Sequence, residues 1–193
     1  MEKQKIIRYL SSIVFTPIMM ATVPLYGINP TAKTNTVPTI VTEEKSVITP
    51  QDEVIRNKKA QILNSFFAQN EAPLESYGME FVLAAEKNNL DWRLLPAIAM
   101  RETTGGKHAC KNPKAPNNYF GWLSCKTGFS SIKTSIDFIA MTLSGNNPDG
   151  KYYTKGMTTE EILKKYNPDY IIPGYSKQVI QIMKMINPTE NLN

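Results

Sequence analysis

The sequence predicts a mainly α-helical single domain, preceded by an apolar N-terminal segment and a flexible tether. Three observations predict it. Apolar residues recur at helical spacing from Asp52 onward, strand signals are nearly absent, and a chain of 193 residues that is 41% hydrophobic suits one well-buried core. We therefore divide the chain into residues 1–30, 31–51 and 52–193.

Residues 1–30 have the pattern of an export signal. Lys3, Lys5 and Arg8 precede an uncharged stretch that runs from Tyr9 to Pro30. No clean small-x-small cleavage site follows, and about twenty uncharged residues can span a bilayer, so a cleaved signal peptide and a membrane anchor through residues 9–28 are both open. In either case the basic flank stays on the cytoplasmic side, and we expect the rest of the chain outside.

Residues 31–51 read as a flexible linker. They are rich in threonine, contain Pro38 and Pro50, and show no helical period. The pattern changes at Asp52, where we expect the helical domain to begin. Its first helix is indicated by apolar residues at helical spacing, namely Val54, Ile55, Ile62, Leu63, Phe66 and Phe67.

Two further helices follow in the first half of the domain. The segment "GMEFVLAAEKNN" predicts a short amphipathic helix. Asp91 then opens a helix that runs to Glu102, and we expect Gly105 and Gly106 to stop it.

Three more helices fill the second half. The first is expected from Ser131 to Leu143. The next begins with a capping box, in which Thr158 is followed three positions later by Glu161. The segment "GYSKQVIQIMKMI" closes the domain with an apolar stripe.

The charge balance argues against a nucleic-acid partner. The chain has 22 Lys and Arg against 17 Asp and Glu, a net charge of +5, part of which comes from the extreme N-terminus. No stripe of basic residues with interleaved aromatics is visible, as nucleic-acid binding would need. The mildly basic remainder suits an acidic polymer, or no partner at all.

Cys110 and Cys125 are the two cysteines, and an even pair in an exported chain predicts a disulfide. Two alternatives are open. One is a zinc site made by both cysteines with His108, and the other is a cysteine nucleophile that uses His108 as its base.

Glu102 stands at the end of an apolar helix face, which it shares with Leu95, Ile98 and Ala99. A poorly solvated carboxyl near a helix C-terminus has a raised pKa, because burial and the free carbonyls both disfavour its charged form. A neutral carboxylic acid can donate a proton. The alternative is a solvent-exposed glutamate paired with Lys107 or Arg101.

Several segments resemble one enzyme superfamily. "LDWRLLPAIAMRETTGGK", "NNYFGW", "KYNPD" and "YSKQVIQIMKMI" are similar to the goose-type lysozymes, lytic transglycosylases and bacterial glucosaminidases, which cleave peptidoglycan. The likeness covers about residues 60–187 and implies a lysozyme-like fold with neither metal nor cofactor. It also implies a glycan strand of peptidoglycan as the partner and substrate.

The resemblance assigns roles to individual residues. It makes Glu102 the catalytic acid and base. Substrate contacts are expected from a loop that forms the cleft floor and from two later tyrosines, that is, from Asn118, Tyr119, Phe120, Gly121, Trp122, Tyr166 and Tyr175. The chain departs from the usual pattern at Thr103, where serine is commoner, and in the segment "FGW". These departures leave hydrolysis and non-hydrolytic cleavage both open.

The number of carboxylates bears on the reaction. Hydrolysing glycosidases usually use two, and Asp137, beside the apolar stripe of its helix, is the candidate for the second, although a solvated position explains it as well. With Glu102 alone, a group of the substrate must act as the nucleophile, which favours transglycosylation. An inactive lysozyme-like module that binds cell wall or acts as a scaffold is the alternative function.

Overall fold

Six α-helices follow one another along residues 48–189, the part of the chain that the computed structural model describes. Their bounds are Pro50–Gln69 (α1), Gly78–Lys87 (α2), Leu94–Thr103 (α3), Ile132–Leu143 (α4), Thr159–Tyr166 (α5) and Tyr175–Ile186 (α6), with a short 3₁₀ segment at Trp122–Cys125. This range contains no strand, which confirms the mainly α prediction. None of its helices has the length and apolar character needed to cross a membrane.

The N-terminal predictions lie largely outside this range. The segment at residues 1–30 and the linker up to residue 47 are not among the described residues. The end of the linker is described, and there the prediction was wrong. Pro50 and Gln51 already belong to α1, because Thr49 and Asp52 form a capping box and Pro50 occupies a position that suits proline.

Helix α1 buries less of its predicted stripe than expected. Leu63 and Phe67 are fully buried, whereas Val54 and Ile55 are 60% and 42% exposed. A helix of 20 residues is about 30 Å long, whereas the partner α2 has half as many residues. The last turn of α2 reaches α1 at Arg56, through the ion pair of Arg56 with Glu86, so the first turn of α1 extends past α2.

Helix α3 begins three residues after Asp91, its predicted start. The Asp91 carboxylate accepts hydrogen bonds from the backbone and side chain of Arg93, with 2.6 Å between Oδ2 and Nη2. Both side chains are buried, and Nη1 of Arg93 donates to the carbonyl of Asn187. Because breaking a buried ion pair strands a charge, this pair holds the start of α3 against the end of α6.

The core surrounds α3. Every residue from Leu94 to Ala99 is buried, and the helix packs against α6 and, less extensively, α2 and α4. Helix α5 packs on α6, while α1 pairs with α2. The packing of residues Leu94 to Ala99 thus fixes the position and direction of the last turn of α3.

Candidate active site

Glu102 lies in the last turn of α3 and is partly buried. The helix ends one residue before the predicted glycines, because Thr104 adopts a left-handed conformation with φ 54°. Neither predicted ion-pair partner forms a salt bridge with Glu102. Lys107 pairs with Glu71 at 3.3 Å, and Arg101 donates to Gln178 at 2.6 Å. The solvent-exposed alternative for Glu102 was therefore wrong.

Thr103 joins the end of α3 to the following loop. Its hydroxyl donates to the carbonyl of Tyr119 at 2.7 Å and accepts from the N–H of Gly106 at 3.0 Å. A Cβ on Gly106 would lie 2.6 Å from the Tyr119 ring, so the ring can occupy this position only beside a glycine. Both hydrogen bonds use the hydroxyl of Thr103. A serine at this position would supply the same hydroxyl.

The two carboxyl oxygens of Glu102 have different surroundings. The Tyr175 hydroxyl donates a 2.6 Å hydrogen bond to Oε1. Oε2 accepts no hydrogen bond from any described residue and lies 3.3 Å from the position that a Cβ on Gly121 would take. Apart from Gly121 and its two neighbours in the chain, no other heavy atom of the described residues comes within 4 Å of that position. Oε2 therefore faces open space that a substrate atom can occupy.

The pKa of the Glu102 carboxyl is raised above its ordinary value. Burial is the largest cause, because it penalises the charged form. The hydrogen bond from Tyr175 and the positive charge of Arg101 act in the opposite direction and are smaller. The sequence-based expectation of a raised pKa is thus confirmed, and the structure adds the two groups that restrain it.

Tyr175 acts on Glu102 from within the core. Its side chain is fully buried, so it cannot touch a substrate. Burial raises the pKa of its hydroxyl far above the ordinary value, which keeps it a proton-bearing donor. Oε1 accepts the hydrogen bond from Tyr175. When Glu102 is protonated, its own proton therefore lies on Oε2, the oxygen that faces open space.

Tyr166 connects Tyr175 to the loop that contains Phe120. Its ring stacks on that of Tyr175 with centroids 6.0 Å apart and an interplanar angle of 8°. Its hydroxyl donates to the carbonyl of Phe120 at 2.6 Å. The Tyr166 hydroxyl therefore braces the loop that contains Phe120. The expected substrate contact of Tyr175 does not fit its full burial, and that of Tyr166 stays a prediction.

Asn118 builds the loop instead of presenting a surface. Its side chain is fully buried and makes three hydrogen bonds, two to Trp122 and one to the carbonyl of Thr127. Phe120 is 1% exposed. The expectation that these two side chains line a cleft floor does not fit their burial, and the exposed part of this loop comes from Tyr119, Gly121 and Trp122.

The Trp122 ring is partly buried. Its centroid lies 6.1 Å from the Tyr166 ring and 6.2 Å from the Phe138 ring, the latter edge-on. These contacts fix one side of the indole against the core. Its remaining surface lies next to Gly121 along the chain, which keeps it a candidate for stacking on a sugar.

Cys110 and Cys125 form a disulfide, as predicted, with an S–S distance of 2.01 Å. Both alternatives for these cysteines were therefore wrong, because neither sulfur is free to bind zinc or act as a nucleophile. The described residues also contain no cluster of three or more potential metal ligands. The bond closes the loop that runs from the end of α3 past Gly121.

Asp137 has the surroundings of a solvated helix residue. Its carboxylate pairs with Lys133, four residues earlier on α4, at 2.6 Å, and its side chain is 48% exposed. Its hydrogen bond and its ion pair are made with Lys133 and not with Glu102. The role of second carboxylate stays a prediction, and the solvated alternative accounts for its contacts.

Gln178 was missed by the sequence analysis, and Arg101 appeared there only as an alternative ion-pair partner of Glu102. The Arg101 guanidinium lies 5.7 Å from the centre of the Tyr175 ring while Nε donates to Gln178. The available signal was weak. Gln178 follows Tyr175 by three residues on α6 and so shares its face, but nothing in the sequence shows that α3 crosses there.

Comparison with protein-family models and with curated proteins found no match to this chain. The site is therefore interpreted from its own geometry. Two cavities of about 300 and 390 Å³ lie elsewhere in the described residues, and neither is lined by Glu102. The candidate site is defined by the Glu102 carboxyl and the groups that surround it.

Proposed function

We propose that this protein cleaves the β-1,4 bonds of peptidoglycan glycan strands, with Glu102 as general acid and base. The observation that carries the proposal is the asymmetry of its carboxyl group. One oxygen is held by a buried tyrosine, and the other faces open space with nothing bound to it. A partly buried acid with a raised pKa is the group that such a reaction needs at near-neutral pH.

The first step transfers a proton from Oε2 to the glycosidic oxygen. The bond from that oxygen to C1 breaks, the leaving sugar departs with the proton, and positive charge develops on the ring that keeps C1. Glu102 is then a carboxylate, whose charge is stabilised by the Tyr175 hydrogen bond and the nearby Arg101. Both groups stabilise the charged carboxylate more than the neutral acid.

In the second step the carboxylate accepts a proton from the nucleophile that attacks C1. We favour the sugar's own 6-hydroxyl, which forms a 1,6-anhydro-muramic end and regenerates the acid. The reason is that, among the described residues, the candidate for a second carboxylate, Asp137, is engaged with Lys133. The reaction is thus a transglycosylation, as in the lytic transglycosylases that the sequence resembles.

Mass spectrometry of digested glycan tests the second step. We expect products lighter by one water than the products of hydrolysis. Reducing ends throughout, together with loss of activity in Asp137→Asn, would show hydrolysis with two carboxylates instead.

A zymogram tests the proposal as a whole. Purified full-length protein should clear cell-wall material, and Glu102→Gln should abolish clearing because an amide can neither give nor take the proton. Clearing by the variant removes Glu102 from its role. Binding without clearing by either protein favours the inactive cell-wall module.

We further propose that the protein acts outside the cytoplasm, either secreted or tethered through residues 9–28. An uncleaved anchor keeps the protein with membranes after a high-salt wash, since burial of apolar residues is insensitive to ionic strength. Recovery of a shortened soluble chain indicates cleavage. Retention of the full-length chain in the cytoplasmic fraction contradicts export.

A further inference from the structure

An exposed tyrosine and a lysine form a braced pair at the end of α5. The Tyr152 hydroxyl donates to the carbonyl of Lys165 at 3.1 Å, and Nζ of Lys165 donates to the carbonyl of Tyr152 at 2.6 Å. The ammonium lies 5.2 Å from the centre of the Tyr152 ring. Tyr152 nevertheless keeps 59% of its surface exposed.

The buried neighbour of Tyr152 fixes the ring further. Tyr153 is 5% exposed, and its ring meets that of Tyr152 edge-on with centroids 5.1 Å apart. One hydrogen bond from its hydroxyl, the ammonium near its ring and the anchored ring of Tyr153 therefore hold an aromatic side chain that is mostly open to solvent. Such a side chain loses little conformational freedom when a ligand binds, which is why fixed aromatic surfaces make effective binding sites.

The pair lies next to the candidate active site. Lys165 precedes Tyr166, and consecutive helix residues point about 100° apart, so Tyr166 faces inward to the site while Lys165 lies on the adjoining surface. Tyr166 stacks on Tyr175, which in turn binds Glu102. Tyr153 is also close enough to influence the Tyr166 hydroxyl electrostatically.

The chemistry of the pair matches one class of sugar. The apolar C–H face of a pyranose ring packs on an aromatic ring, and an ammonium attracts a carboxylate. Lys165 uses one of its three donors on Tyr152, and Glu161, an acid on which its charge acts, is engaged in the capping box at the start of α5. The ammonium therefore has capacity for a further anionic partner.

We propose that Tyr152 and Lys165 form a binding subsite for a carboxylate-bearing sugar of the glycan strand, outside the bond that is cut. This inference rests on the proposed function for the identity of the strand. The ring binds the face of the sugar, and the lysine binds its lactyl or peptide carboxylate. The subsite keeps a long strand in place while Glu102 acts on it.

Binding of the full-length Glu102→Gln protein to purified insoluble peptidoglycan tests the subsite without requiring cleavage. We expect Tyr152→Ala to weaken binding about tenfold, the effect of losing one aromatic contact. Tyr152→Phe keeps the ring and should stay close to the parent. Tyr170→Ala is the matched control, because Tyr170 is 80% exposed and its side chain makes no hydrogen bond or ring contact with the other described residues.

Lys165→Gln separates the charge from the ring. It should weaken binding to muramic-containing strands and reduce the salt dependence, because one ion pair is lost, but leave binding to N-acetylglucosamine oligomers unchanged. Equal affinities for Tyr152→Ala and its parent, or equal losses in Tyr152→Ala and Tyr170→Ala, overturn the subsite. Thermal melts of each variant confirm that it is folded.

The two proposals fail separately. If wild-type protein does not cleave glycan but Tyr152 and Lys165 still govern binding, the enzymatic proposal is wrong and the subsite stands. If wild-type protein cleaves and the Tyr152 and Lys165 variants bind as the parent does, only the subsite is wrong.

Discussion

The hydroxyl of Tyr175 donates a 2.6 Å hydrogen bond to Oε1 of Glu102, joining two helices across 73 residues of sequence. Tyr175 is fully buried and its proton stays on the phenol. The bond therefore orients the carboxyl and directs its other oxygen outward. It also connects the acid to the packing of α3 on α6, so the geometry of the site depends on the core.

Removing the Tyr175 hydroxyl should reduce activity while the phenylalanine ring still fills the same place in the core. In Tyr175→Phe the carboxylate that forms after proton transfer loses a charge-assisted hydrogen bond, a loss of about 1.5–3 kcal/mol, or about 10- to 100-fold in rate. The pKa of Glu102 should also rise, because this bond lowers it. Steady-state kinetics across pH measure both effects.

Tyr166→Phe is the matched control for that variant. It removes the same atom from the stacked neighbour, where the hydroxyl binds the Phe120 carbonyl and not Glu102. We expect lower thermal stability but an unchanged alkaline limb of the pH profile. An alkaline limb that moves equally in both variants would contradict a specific role for the Tyr175 bond.

The charge of Arg101 should set the upper pH limit of activity. The alkaline limb of kcat/KM reports the pKa of Glu102 in the enzyme without substrate. Arg101 lowers that pKa, whereas burial raises it. Arg101→Gln should therefore move that limb to higher pH, while Arg101→Lys, which keeps the charge, should move it less. A limb that stays in place in Arg101→Gln shows that its charge does not reach Glu102.

Glu102→Gln should stabilise the protein at neutral pH. A folded-state pKa raised above the unfolded value of 4.5 means that the folded state favours the neutral acid. Stability from this group is full below pH 4.5 and is lost as pH rises through the folded pKa, because the unfolded state then binds fewer protons. The amide never ionises, so the variant avoids that loss.

Thermal melts at a series of pH values check this sign. The variant should melt above the wild type at neutral pH, and the difference should shrink towards zero as the pH falls below 4.5. A variant that is less stable than wild type at neutral pH and equally so at acid pH would contradict the predicted ionisation cost.

Reduction of the disulfide should lower both stability and activity. Cys110 and Cys125 close a loop with a sequence separation of 15, for which the chain-entropy model gives about 3 kcal/mol. The three residues from Leu123 to Cys125 all have left-handed φ angles, between 51° and 59°, which side chains rarely adopt. Without the bond this segment can relax and move Trp122.

Denaturant unfolding with and without reductant measures the stability change. The double variant Cys110→Ser with Cys125→Ser serves as control, because it should match the reduced wild type and ignore reductant. Two free thiols in freshly purified protein, or equal stability in both conditions, would contradict the prediction.

Several features of the fold follow from local sequence alone. The capping box of Thr158 and Glu161 begins α5 where it was predicted, and α4 begins at Ile132, one residue after its expected start at Ser131, which is its N-cap. The disulfide follows from an even pair of cysteines. The helix starts can be predicted because each depends on residues a few positions apart. The disulfide can be predicted because the chain has only two cysteines, so a single pairing exists.

The helix-face pattern singled out Glu102, and the resemblance singled out Tyr166 and Tyr175. The resemblance also expected substrate contacts from Asn118, Phe120 and Tyr175, which does not fit the burial of these side chains in the folded chain. A motif names residue types at a spacing. It does not tell whether a side chain faces a cleft or holds the loop together from below.

By itself the sequence determined the helices, the disulfide and the presence of a carboxyl at the end of an apolar helix. Only the tertiary structure decided that Tyr175 binds one oxygen of Glu102, that Gly121 leaves the other facing open space, and that Arg101 turns to Gln178. Helix caps and periodicity act over a few residues. Which oxygen of Glu102 is bound depends on where α3 and α6 cross, and the packing of the whole core fixes that crossing.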